Sequence, residues 1–179
     1  MSRILLCASA SAAIYKACDL ASKLSQAGHE LSTVLTPRAA ELVSPQLFEA
    51  VSGGPASCTE FGEGRRGAMD HIDLARFAEM VVVAPCSADL AGRLANGLGG
   101  DLVSTALLAV PSSVPRLLCP AMNPTMLGHP AVARNLGQLR EDGWDVLEPV
   151  SGHMACGEEG AGRLVEPSEI LARVEALLG

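Results

Sequence analysis

Ile4-Leu5-Leu6-Cys7-Ala8-Ser9-Ala10-Ser11 stands at the head of the chain and decides its fold. Five apolar residues run without a polar break and end at two serines flanking an alanine. An unbroken apolar run of this length reads as a strand buried on both faces, the kind found at the centre of a parallel sheet. The serines then open a helix expected over about residues 12–27 and closed by Gly28, with a serine hydroxyl capping its first amides.

The same alternation continues downstream. Strands are expected at 30–35, 80–84, 116–119 and 145–148, and helices near 39–42, 45–51, 70–78, 87–97, 102–109, 130–142 and 167–178. Short apolar strands alternating with helices predict a parallel sheet covered on both faces, an α/β Rossmann-like fold in a single domain over 1–179. Residues 52–69, rich in Gly, Ser and charge, read as a long surface loop, and 151–162 as another loop.

Composition narrows the function. The 179 residues carry a formal net charge of -7 with no basic run, which argues against a nucleic-acid partner. No apolar stretch approaches membrane-span length, and the N-terminus lacks a signal-peptide pattern, so a cytoplasmic location is expected. The six cysteines show no paired spacing and read as mostly buried small apolar groups.

In open parallel sheets ligands bind at the carboxyl ends of the strands. Three candidate segments fall there: Ser9-Ala10-Ser11, Pro85-Cys86-Ser87-Ala88-Asp89 and Pro120-Ala121-Met122-Asn123-Pro124-Thr125-Met126. The first lacks the glycines of a dinucleotide fingerprint. It can still hold one phosphate at a helix N-terminus, or be an ordinary cap. The second reads equally as a helix start capped by Ser87 or Asp89. The third puts the carboxamide of Asn123 between two prolines, where it can bind a carboxylate without adding charge or can be a simple turn residue. His71, in Asp70-His71-Ile72-Asp73-Leu74, precedes a buried strand, and its imidazole can take a proton near neutral pH. Cys156 sits in Ala155-Cys156-Gly157-Glu158-Glu159-Gly160-Ala161-Gly162-Arg163, whose glycines let a loop close over a ligand. His29, His129 and His153 read as surface residues. His153 and Cys156 have metal-like spacing, but two residues are not a site, and no metal is expected.

Together these motifs resemble the homo-oligomeric flavin-containing cysteine decarboxylases, a family that includes phosphopantothenoylcysteine decarboxylases and the peptidyl-cysteine decarboxylases of peptide natural-product pathways. The resemblance runs from Ile4 to about Ile170. The family's Pro-x-Met-Asn-x-x-Met-Trp pattern is matched through Met126, with Leu127 in place of Trp. Its first turn usually has Gly where Ala10 stands, and Asp89 replaces the amide of some members.

The resemblance implies a flavoprotein domain that binds flavin mononucleotide (FMN) through Ser9, Ala10, Ser11, Thr36, Ser87, Ala88, Asp89, Thr105 and Met122. It implies His71 as base, Asn123 as carboxylate anchor and Cys156 as proton donor, with Met126, Gly157 and Arg163 also toward the substrate. The implied chemistry oxidises a cysteine thiol to a thioaldehyde β to the carboxylate, so that carbon dioxide leaves and an enethiol forms.

Two substrates follow from the resemblance. The first reading is a precursor peptide ending in cysteine, favoured by the Cys7–Ser11 turn and by the lack of a fused ligase. The alternative is phosphopantothenoylcysteine of coenzyme A biosynthesis, favoured by Cys156. A non-catalytic flavin-binding regulatory subunit is a further alternative, disfavoured by intact His71 and Asn123. The family also implies trimers, or dodecamers built from them, with flavin sites at subunit contacts.

Overall fold

The computed structural model describes residues 1–62, 67–153, 157 and 159–179. In chain order the elements are β1 (Arg3–Ala8), α1 (Ile14–Gln26), β2 (Glu30–Leu35), α2 (Pro37–Ala40), α3 (Pro45–Ser52), β3 (Ala56–Ser57), α4 (Asp70–Phe77), β4 (Met80–Cys86), α5 (Ala88–Ala95), α6 (Leu102–Ala109), β5 (Arg116–Pro120), α7 (Pro124–Leu127), α8 (Pro130–Glu141), β6 (Asp145–Val146), β7 (Val150–His153), β8 (Glu159–Arg163) and α9 (Pro167–Leu178). Six strands form one parallel sheet in the order β3-β2-β1-β4-β5-β6. This is the Rossmann-like α/β fold expected from the sequence.

The period-two geometry of a strand explains why its apolar runs need no polar gaps. Ile4, Leu6 and Ala8 face one core with Leu31, Leu35, Met80, Val82 and Leu117, covered by α1, α3 and α9. Leu5 and Cys7 face the other with Val34, Val81, Val83 and Leu118, beneath α4, α5, α6 and α8. Both sides of β4, and of β1 from Ile4 on, are therefore buried.

Four expectations are corrected. Helix α1 begins at Ile14 with Ala13 at its N-cap position and no side-chain cap. Ser9 cannot serve there, because its hydroxyl donates to Pro85 O (2.9 Å) and accepts from Ser87 N (2.7 Å), lacing the end of β1 to that of β4. The stretch read as surface loop contains β3, which pairs with β2 and buries Ser57. The 151–162 loop is instead largely an antiparallel hairpin, β7–β8. Its strands escape a hydropathy reading because they are rich in Gly and small residues and, among the described residues, form a sheet of their own. His29, read as a surface residue, is buried, with Nδ1 accepting from Ser2 N (3.3 Å) and Nε2 against Glu175 (2.8 Å).

Candidate active site

The carboxyl ends of β1, β4 and β5 open onto a cavity of about 350 Å³. Its wall gathers residues from five places in the chain: Ala10, Ser11 and Ala12 after β1; Tyr15 and Lys16 on α1; Ser87 and Ala88 after β4; Met122, Asn123 and Met126 around α7; and Gly162, Arg163 and Leu164 at the end of β8. Hydrogen bonds fix these segments to one another. Ala121 N donates to Cys86 O (3.0 Å) and Met122 N to Gly162 O (3.0 Å).

Asn123 is the N-cap of α7. Its Oδ1 accepts from Met126 N at 2.8 Å, and Pro124 occupies the first helical position. An amide N–H needs an acceptor, so this contact fixes the orientation of the carboxamide and leaves the Nδ2 hydrogens unused by the cap. Ser11 Oγ accepts from Ala13 N (3.2 Å), while the amides of Ser11 and Ala12 meet no protein acceptor among the described residues. Unpaired amides in the turn that leads into the positive end of α1, beside a cavity, favour an anionic group such as a phosphate.

Lys16 escaped the sequence reading. It lies on the buried stripe of α1 one turn before Leu20, and its ammonium donates to Leu164 O (3.2 Å) and Glu166 (2.8 Å). A lysine set within an apolar helical stripe was the available signal. Arg163 pairs with the same carboxylate at 2.5 Å. Two cations share one anion, so this wall carries an excess of positive charge. The Lys16 hydrogen bond is the main cause holding the Glu166 carboxyl below its ordinary range, with Arg163 adding to it.

The structure brings Ala10, Ser11, Ser87, Ala88, Met122, Asn123, Met126 and Arg163 together on this wall. It places other expected residues off it. Ser9 is buried behind the wall. Thr36 caps α2 through Oγ1 to Ala39 N (3.2 Å). Asp89 pairs with Arg93 on exposed α5 surface, Thr105 is half-buried on α6, and Gly157 is exposed. Cys156 lies outside the described residues. His71 stands at the start of α4, which packs on α6 and β1. Phe77 ends α4 just before β4 begins. His71 is not on the wall that holds Asn123. Among the described residues, no cluster of three or more His, Cys, Asp or Glu side chains is placed to hold a metal ion, and no helix is long and apolar enough to cross a membrane.

A family model for flavoproteins matches residues 1–179. The chain belongs to the Flavoprotein family. Among its relatives is the coenzyme A biosynthesis bifunctional protein CoaBC of Bacillus subtilis (strain 168), 43% identical over 172 residues, covering 96% of this chain and 42% of the relative. The chain thus spans less than half the length of that relative. The probable phosphopantothenoylcysteine decarboxylase of Streptococcus mutans serotype c is 32% identical over 176 residues, covering 98% of both chains. Among solved structures, a cysteine-to-serine mutant of PPC decarboxylase complexed with pantothenoylaminoethenethiol superimposes with a TM-score of 0.85 at 29% identity, covering 99% of this chain and 98% of that one. The FMN-dependent cysteine decarboxylase SpaF superimposes with a TM-score of 0.82 at 28% identity, covering 97% and 95%.

Proposed function

We propose that this flavoprotein is an FMN-dependent cysteine decarboxylase whose substrate is phosphopantothenoylcysteine. The observation that carries the proposal is the capped Asn123 amide on the wall of a cavity that also holds two cations and the open amides of the turn leading into α1. The relatives named for coenzyme A biosynthesis and for phosphopantothenoylcysteine decarboxylation, at 43% and 32% identity, support this substrate. The peptide reading therefore gives way to it. Similarity confined to this one domain does not favour a peptide, because the S. mutans relative matches over 98% of its own length.

The residues present suit FMN: open amides and the Ser11 hydroxyl for its phosphate, and Ala88 and Met122 as apolar wall for its ring. When bound, FMN supplies the acceptor for the two electrons that the substrate's thiol-bearing carbon gives up. Asn123 donates from Nδ2 to the substrate carboxylate and so holds the bond to be broken in place. Lys16 and Arg163 add positive charge for an anionic substrate. His71 takes the proton released on oxidation, and Cys156 returns one when the product is reduced.

Because His71 is off the Asn123 wall, we further propose that a second copy of the chain completes the site, in a homo-oligomer. Phe61 and Met69, both exposed apolar residues near His71 in sequence, suit such a contact.

The test is mass spectrometry after incubating the protein and FMN with phosphopantothenoylcysteine, and separately with cysteine-terminated peptides. Loss of carbon dioxide alone from phosphopantothenoylcysteine is the expected result. Loss of carbon dioxide plus two hydrogens from the peptides alone would restore the peptide reading, and no reaction in either case would remove the proposal.

A further inference from the structure

We propose that Glu60 is a positioning residue for His71. Its carboxylate holds the imidazole with the hydrogen on Nδ1 and leaves the Nε2 lone pair as the base. The proposal rests on the decarboxylase reading above.

Glu60 lies between β3 and α4, and its carboxylate is in ion-pair contact with His71 Nδ1. Both side chains are withdrawn from water, at 24% exposure for His71 and 16% for Glu60. Nδ1 itself is fully buried and has no hydrogen-bond partner of good geometry among the described residues; the Glu60 carboxylate stands beside it as an ion-pair contact, not in line with the ring N–H. Among the described residues, the other charges on and around α4 include Asp70, Asp73 and Arg76 within it, Glu30 across the cleft that Asp70 and Asp73 line, Asp101 at the start of α6, and the Arg3–Glu79 pair at the far end of β1. Among the described residues, only Glu60 is in ion-pair contact with the ring.

An ionised carboxylate can only accept. Set against a bare Nδ1 lone pair it would be repelled, so the ring's hydrogen sits on Nδ1. Nε2 makes no hydrogen bond among the described residues and is left for the substrate. When Nε2 takes a proton, the Nδ1 hydrogen stays where it is, and the new positive charge lies beside the Glu60 carboxylate, which remains ionised. A carboxylate behind a histidine fixes its orientation. This contact also gives the segment before α4 a task that its Gly-rich sequence does not reveal.

Glu60→Leu and Glu60→Gln variants with FMN bound test the idea by two readouts. The first is the nitrogen NMR signature of the His71 ring, assigned by its loss in a His71→Asn variant. The wild type should show the Nδ1–H tautomer and Glu60→Leu a shift toward Nε2–H. Glu60→Gln, which keeps an acceptor, should lie between. The second is turnover of phosphopantothenoylcysteine, where kcat should fall roughly 10- to 100-fold in Glu60→Leu, less in Glu60→Gln, with KM little changed. An unchanged tautomer in Glu60→Leu overturns the proposal, and so does unchanged kcat. If the wild type does not decarboxylate, the decarboxylase reading fails, while the tautomer measurement still decides whether Glu60 orients His71.

Discussion

Replacing Asn123 by aspartate separates its two roles. The Oδ1 that accepts from Met126 N at 2.8 Å survives as a carboxylate oxygen, so the α7 cap is kept. The Nδ2 donor becomes a second anionic oxygen aimed at the place proposed for the substrate carboxylate. Two carboxylates roughly 4 Å apart at an effective dielectric of about 20 repel by about 4 kcal/mol. Asn123 is half-buried, and some of this is screened. About 2–4 kcal/mol remains, or roughly 30- to 1000-fold in kcat/KM. Asn123→Ala behaves differently: it loses the cap, about 1 kcal/mol, and the Nδ2 donor together. The assay is a pair of measurements, thermal melting and kcat/KM for phosphopantothenoylcysteine. Asn123→Asp should melt like the wild type while losing nearly all turnover, and Asn123→Ala should lose a few degrees as well. An Asn123→Asp protein with wild-type kcat/KM would refute the anchor and leave Asn123 as a cap alone.

Other expectations rest on separate parts of the fold. Lys16→Met leaves Leu164 O without its donor and Glu166 with Arg163 alone, so it should cost about 1–2 kcal/mol, read as a drop of roughly 2–8 °C in Tm. Glu166 has a folded pKa below its unfolded one, so the pair's contribution is full above the ordinary carboxylate range and lost as pH falls through the depressed value. The melting difference between Lys16→Met and wild type should therefore be clear at pH 7 and shrink on acidification. Gly54→Ala would set its Cβ 2.1 Å from Leu31 O, so β3 must shift off β2, and chemical denaturation should show a loss of about 2 kcal/mol or more. Burial pushes the Cys7, Cys86 and Cys119 thiols well up, so alkylation of the native protein at pH 8 followed by peptide mapping should find these three unlabelled and half-buried Cys58 labelled.

The limits of the sequence reading have specific causes. A buried strand announces itself by an apolar run, so β1, β4 and β5 were legible, and β2 was legible from Leu31, Val34 and Leu35 between the breaks at Gly28 and Pro37. The β7–β8 hairpin and the two-residue β3 bury little apolar surface of their own and carry no such run. Segments at the carboxyl ends of strands were legible as one site because topology gathers them there whatever the side chains are. Roles within that site were not. Ser9 and Ser11 are two residues apart, yet one hydroxyl is spent tying β1 to β4 and the other sits at the cavity. Lys16 drew no reading, because its partner Glu166 lies 150 positions away, in the segment that enters α9.

What the sequence alone determined is the long helices and the central strands, the two-sided burial of the sheet and the residue types available for a carboxylate and a proton. These follow from period and hydropathy, which act along the chain. The tertiary structure alone decided which donors remain free. That Asn123 spends Oδ1 and keeps Nδ2, that Lys16 and Arg163 share Glu166, and that Glu60 stands behind His71 while His71 stands off the Asn123 wall all depend on contacts across the chain. Hydrogen bonds and charge pairs are short-ranged and directional, and no pattern along the sequence encodes which partners the fold will bring within reach.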